Sequence, residues 1–247
     1  MEDYKKMGLQ SFEAKNYSKS SYYFQKVVEL YPNDLPSMYN LARSLEETGD
    51  YEKSKFFYSK VLKKQRDMAE AYMGRGRCYW QDSMYYEARI DFNNTVFYNP
   101  RLAEGYYLLG MAQIKLGEFE EAAETLSICL QLDEDNFSAL YHRGIAKAST
   151  GYLYGATRDF SRVIKADNEF VKAYHSRSKC FLAMKMYPQA LSDINKTIEL
   201  NGPSEAYITR AFIYLQLNEK SLACKDLFEA KKRSLPNVNK IISDHCK

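Results

Sequence analysis

The residues in this chain whose types and spacing best suit chemistry are four Arg–Asp couples, each sixteen positions apart: Arg75 with Asp91, Arg143 with Asp159, Arg177 with Asp193, and Arg210 with Asp226. A guanidinium and a carboxylate at one fixed interval are what a recurring ion pair between two helices requires. Where the arginine is absent the aspartate is absent too, since Met7, Leu41 and Leu109 are followed at the same interval by Tyr23, Phe57 and Thr125. Joint switching fits a structural pair that exchanges with an uncharged contact, because a half-buried arginine stripped of its carboxylate is costly. These eight residues are expected to hold the fold and not to act on a substrate.

Other reactive constellations are thinner. Of the three histidines, His142 and His175 occupy neighbouring positions of successive repeats, but no third ligand accompanies them, so no metal is expected. Glu46 and Glu47, like Glu120 and Glu121, are adjacent in sequence and diverge on a helix, which makes them solvated charge and not an acid/base couple. The glycines between Gly151 and Phe160 come without a phosphate-loop lysine. The five cysteines, Cys78, Cys129, Cys180, Cys224 and Cys246, form no CxxC motif, and the first four stand where a small or medium apolar side chain is wanted. Packing roles and a reducing, cytoplasmic setting are therefore expected, a periplasmic one requiring that a leader has been removed. The chain is read as non-enzymatic, with no catalytic residue and no cofactor.

The elements that must position these residues follow a 34-residue period. Within 103–136, Tyr106, Leu109, Gly110 and Gln113 share one helical stripe, Gly117 interrupts it, and Ala122, Leu126, Cys129 and Leu130 form the inward stripe of a second helix. Neither helix buries its apolar face alone, so such a unit needs neighbours. The units are 1–34, 35–68, 69–102, 103–136, 137–170, 171–203 and 204–236, followed by 237–247, where Val238, Ile241, Ile242 and His245 predict a capping helix. The eighth position is always small (Gly8, Ala42, Gly76, Gly110, Gly144, Ser178, Ala211), and so is the twentieth (Ser20, Ser54, Ala88, Ala122, Ala156, Ala190, Ala223). The twenty-fourth is always large and apolar, from Phe24 to Leu227, and two closely crossing helices need this alternation of notch and bulk.

These columns resemble the tetratricopeptide repeat family, whose signature sets a large residue, Leu-Gly, Tyr, Ala, Phe and Pro at such intervals; the likeness extends over residues 1–236. Departures exist. The closing proline survives only as Pro32 and Pro100, with Pro203 and Pro236 one position late, and the turn glycine of Gly49, Gly117 and Gly151 is replaced at Ser83 and Lys185. The resemblance implies an all-α, right-handed superhelix of seven helix pairs plus a C-terminal cap, with a concave groove lined by the first helix of each pair. Groove candidates on that basis are Tyr39, Arg43, Arg77, Trp80, Tyr107, Met111, Ile114, Tyr141, Ile145, His175 and Lys179.

Charges over the groove columns balance at seven basic against seven acidic residues, and the whole chain carries only +3, so a nucleic-acid track is not expected. No run of eighteen apolar residues occurs to span a membrane. The middle of the groove is instead apolar, with Leu108 joining Trp80, Tyr107, Met111, Ile114, Tyr141 and Ile145, and with Arg77 and Lys179 at the rims to meet carboxylates or carbonyls. Trp80, the sole tryptophan, is the expected anchor. The family's clamp for a chaperone C-terminal carboxylate is not supported: Lys5 and Asn40 fit, but Leu9, Glu70 and Gly74 do not. The expected function is a scaffold that binds a partner peptide in its groove. The alternative is an assembly subunit that self-associates, or packs on another domain, through its ends or convex face.

Overall fold

The computed structural model describes residues 2–233, 235 and 238–246, so Pro236 and Asn237, at the junction of the seventh repeat and the cap, lie outside the described residues. The described residues are all-α. The helices are α1 (Glu2–Glu13), α2 (Tyr17–Leu30), α3 (Leu35–Thr48), α4 (Tyr51–Lys64), α5 (Ala69–Gln81), α6 (Tyr85–Tyr98), α7 (Ala103–Leu116) and α8 (Phe119–Leu132) in one compact unit, Met1–Glu134. The second unit, Asp135–Lys247, contains α9 (Phe137–Ser149), α10 (Leu153–Ala166), α11 (Val171–Ala183), α12 (Tyr187–Glu199), α13 (Glu205–Gln216), α14 (Lys220–Lys232) and α15 (Val238–His245).

Within each unit the helices pack as antiparallel pairs, and each second helix also packs on the first helix of the next pair. First helices touch one another directly, α3 with α5 in the first unit and α11 with both α9 and α13 in the second, while second helices make no comparable contact. Each unit therefore has an inner wall of first helices and an outer face of second helices.

The notch columns explain the pairing. A Cβ added to Gly76 would stand 2.6 Å from the Phe92 ring, and one added to Gly144 would stand 2.6 Å from the Phe160 ring. Both rings are fully buried, so the aromatic of the second helix lies directly on the glycine of the first. The twentieth position is sealed as tightly: Ser20 Oγ donates to the Gly8 carbonyl at 2.9 Å and Ser54 Oγ to the Ala42 carbonyl at 2.8 Å. Each buried hydroxyl thus finds its acceptor at the crossing, on a helical carbonyl that has a second lone pair to offer.

Helix starts are fixed by Asn16, Asp34, Asp50 and Asn136, whose side chains accept from the backbone N–H three residues on. Helix ends reverse through left-handed backbone at Gly49, Gly117 and Gly151. Where the glycine is missing the same turn persists, with Ser83 at φ 59° and Lys185 at φ 60°. Packing on either side holds these residues in a conformation that costs an L-residue free energy. Ser83→Gly is accordingly expected to stabilise the first unit by about 0.5–1 kcal/mol, read as a higher denaturation midpoint in urea.

At the C-terminal end α15 folds back on α14, with Val238 buried and Ile241 and Ile242 packed over Ala211, Ala223 and Leu227. One cysteine differs from the sequence-based expectation: Cys224 is not merely a packing residue but forms a disulfide with Cys246, just beyond α15. The return of the cap brings both half-buried side chains together, a long-range consequence that local spacing does not show. Cys78, Cys129 and Cys180 remain buried thiols. Burial pushes them up to about 12, 11 and 11, which leaves little thiolate for chemistry.

Candidate functional site: the inner walls of first helices

The four Arg–Asp couples lie between the two helices of one pair. Arg75 donates from Nε and Nη2 to both Asp91 oxygens at 2.8 Å, and Arg177 and Arg210 grip Asp193 and Asp226 in the same fork at 2.7 Å. Arg143 does so with Asp159 at 2.8 and 2.7 Å, and Lys147 adds a third donor at 2.8 Å. All four aspartates are buried. For Asp91, burial pushes the carboxyl above its ordinary range while the Arg75 guanidinium pulls it back down. In the uncharged second repeat Leu41 and Phe57 take the equivalent places inside one apolar cluster.

The sequence reading missed what the remaining guanidinium nitrogen does. Nη1 of Arg75 donates to Ser59 at 2.9 Å, that of Arg177 to Ser161 at 2.8 Å, and that of Arg210 to Asn195 at 2.8 Å. Each acceptor is the twenty-fifth residue of the preceding repeat, so one arginine ties together three helices from two repeats. A polar twenty-fifth column was the available signal.

On the inner wall of the first unit, Glu46 is the hub. Arg77 Nε donates to it at 2.7 Å and the Tyr58 hydroxyl at 2.7 Å, while Arg77 Nη1 lies 3.6 Å from Glu104. Burial, with Glu46 alongside, pushes the Tyr58 hydroxyl up, so it stays a donor. Arg77 is therefore not the open rim cation expected from sequence; two carboxylates of its own wall already engage it. Arg43 lies over the Phe12 ring at 4.4 Å and also faces Tyr39. Lys5 is held by Asp34 at 2.6 Å.

Trp80 is half-buried: it packs against the cluster of Ala88, Phe92, Val96, Leu109 and Ala112 and meets Tyr85 edge to face at 5.1 Å. Beside it a cavity of about 440 Å³ opens between Tyr51, Arg77, Trp80 and Leu108, with Glu46 and Glu47 at its border. Tyr107, Met111 and Ile114 are half-buried on α7 of the same unit.

Tyr141 and Ile145, expected from sequence in the same apolar cluster, stand on α9 of the second unit. Tyr141 packs against the rings of Phe160 and Phe170 at 5.8 and 5.3 Å. A cavity of about 340 Å³ lies between Ile145, Ala148, Leu153 and the exposed Lys179. The histidines take separate partners: His142 Nδ1 lies 2.8 Å from the Ser138 carbonyl, and His175 Nε2 lies 3.4 Å from the Thr209 hydroxyl. Among the described residues no group of three or more His, Cys, Asp or Glu side chains is placed to hold a metal.

Burial, with Lys179 adding repulsion and Glu205 opposing it, lowers His175 to about 4. Between the ordinary value of 6.5 and about 4 the unfolded chain takes up this proton and the folded chain does not, so stability is full above that window and falls as pH drops through it. Across the window the loss is expected to be about 1–2 kcal/mol, discounted for partial exposure. His175→Gln should flatten that slope in urea titrations at neutral and acid pH.

A family profile described as "Tetratricopeptide repeat" matches residues 23–56, and a second with the same description matches residues 103–136. The solved structure of YrrB, a TPR protein with an unusual peptide-binding site, superposes with a TM-score of 0.67 at 26% identity, covering 72% of this chain and 91% of that one. The chain carries tetratricopeptide repeats and has that family's fold. A tetratricopeptide repeat protein from Parabacteroides merdae shares the fold over 100% of this chain and 98% of its own, with a TM-score of 0.68 at 18% identity.

DnaJ homolog subfamily C member 7 of Mus musculus is 23% identical over 224 residues, 82% of this chain and 44% of that protein, so the tetratricopeptide array spans less than half of this relative's length. Tetratricopeptide repeat proteins generally serve as protein-interaction scaffolds, and their fold is typically non-enzymatic. Among the described residues no helix is long and apolar enough to cross a membrane.

Proposed function

We propose that the inner wall of the first unit captures a segment of a partner protein by a large apolar side chain seated between Trp80, Tyr51 and Leu108. The observation that carries this reading is the cavity of about 440 Å³ at Trp80, an amphipathic ring whose exposed part offers contact area at low entropic cost. Because Arg77 is taken up by Glu46 and Glu104, the exposed acid lining the cavity is Glu47. A lysine or arginine flanking the apolar anchor is the complementary ligand chemistry. That the similar protein YrrB has a peptide-binding site supports a peptide as the class of ligand. On the second unit's wall, Ile145 and Lys179 border a separate apolar contact.

Peptides selected from a random display library on the intact chain test the reading. Trp80→Ala is expected to weaken them by about 30-fold, the loss of one interface anchor. Unchanged affinity in that variant, with the fold retained by circular dichroism, would place peptide capture elsewhere.

A further inference from the structure

The outer face of the first unit, opposite the inner wall, changes character from helix to helix. On α4 the exposed side chains are Phe56 and four lysines, Lys53, Lys60, Lys63 and Lys64, against one exposed acid, Glu52. On α8 they include Glu120, Glu121 and Glu124, and that helix contains no basic residue. Between them in the stack, α6 exposes Tyr86 at 57%, Ile90 at 42% and Phe97 at 73%. Its one basic side chain, Arg89, lies over the Tyr86 ring and pairs with Glu118 at 3.7 Å.

The three helices hold equivalent repeat positions, so from α4 through α6 to α8 the face reads basic, apolar, acidic along the stack. Such a surface is complementary to itself after a half-turn about its middle. An apolar strip with opposite charges on its two flanks is self-complementary, as an isologous contact needs, and exposed apolar side chains gathered on one face mark an interaction surface.

We infer that two copies of this chain dock through their outer faces as a two-fold dimer, α6 against α6, with α4 of each copy against α8 of the other. The occupant is a second copy and not a foreign acidic segment, because an acidic segment attracted by α4 is repelled by α8 of the same face. The contact leaves the inner walls open, and it stands or falls independently of peptide capture there.

Sedimentation of the full chain from low to high micromolar concentration tests this, with two charge-reversed variants. In the first, Lys60, Lys63 and Lys64 become glutamate; in the second, Glu120, Glu121 and Glu124 become lysine. Circular dichroism verifies that each remains folded. The wild type is expected to dimerise at low salt and to dissociate as salt screens the flanks. Each variant alone is expected to sediment as a monomer, because like charges then meet at both flanks. Their equimolar mixture should restore a dimer, since an all-acidic face then meets an all-basic one. A wild type that stays monomeric, variants that still dimerise, or a mixture that fails to recover would each overturn the proposal. So would open-ended growth, or loss of association on reversing α4 but not α8, the pattern of a face that recognises something other than itself.

Discussion

Arg75→Leu is expected to destabilise the first unit by about 3–5 kcal/mol, and Arg75→Leu with Asp91→Leu to recover most of that loss. The single variant leaves a buried carboxylate with no cation, whereas the double variant reproduces the uncharged arrangement that the second repeat uses at Leu41 and Phe57. Arg75 is the sharper choice over Arg143, because Asp159 keeps Lys147 when its arginine is removed. The measurement is urea unfolding followed by Trp80 emission, since Trp80 lies on the same helix and a repeat array can melt piecewise. Equal losses in the single and double variants would mean that the two side chains do not act as a pair.

The second large effect concerns the notches. Phe92 is fully buried with its ring on Gly76, so Phe92→Ala should cost about 3–5 kcal/mol through the cavity it leaves. Gly76→Val alone should cost about 1–3 kcal/mol by overpacking that ring. Together the two should cost clearly less than their sum, because the valine occupies part of the space the ring vacates. Simple additivity would show that the contact does not set the crossing.

How much was legible follows from the range over which each signal acts. The helix pairs could be read because small and large residues recur at a fixed interval, and Gly76, Gly110 and Gly144 do lie under Phe92, Leu126 and Phe160. The Arg–Asp couples could be read because both partners belong to one repeat. The bond between Cys224 and Cys246 could not, since it depends on the cap returning over α14. Arg77 was misjudged for a similar reason: its column is that of an exposed rim, but Glu46 on the preceding first helix and Glu104 on the next both reach it. The left-handed turns at Ser83 and Lys185 show the converse, tertiary packing holding a backbone state that the local residue disfavours.

The most direct measurement of the central claim is the emission of Trp80, the sole tryptophan of the chain, as a selected peptide bearing an apolar anchor and a flanking lysine is added. A blue shift that saturates with binding is predicted, because the anchor displaces water from the exposed part of the indole. Saturable binding detected by calorimetry with no change in that emission would contradict the account.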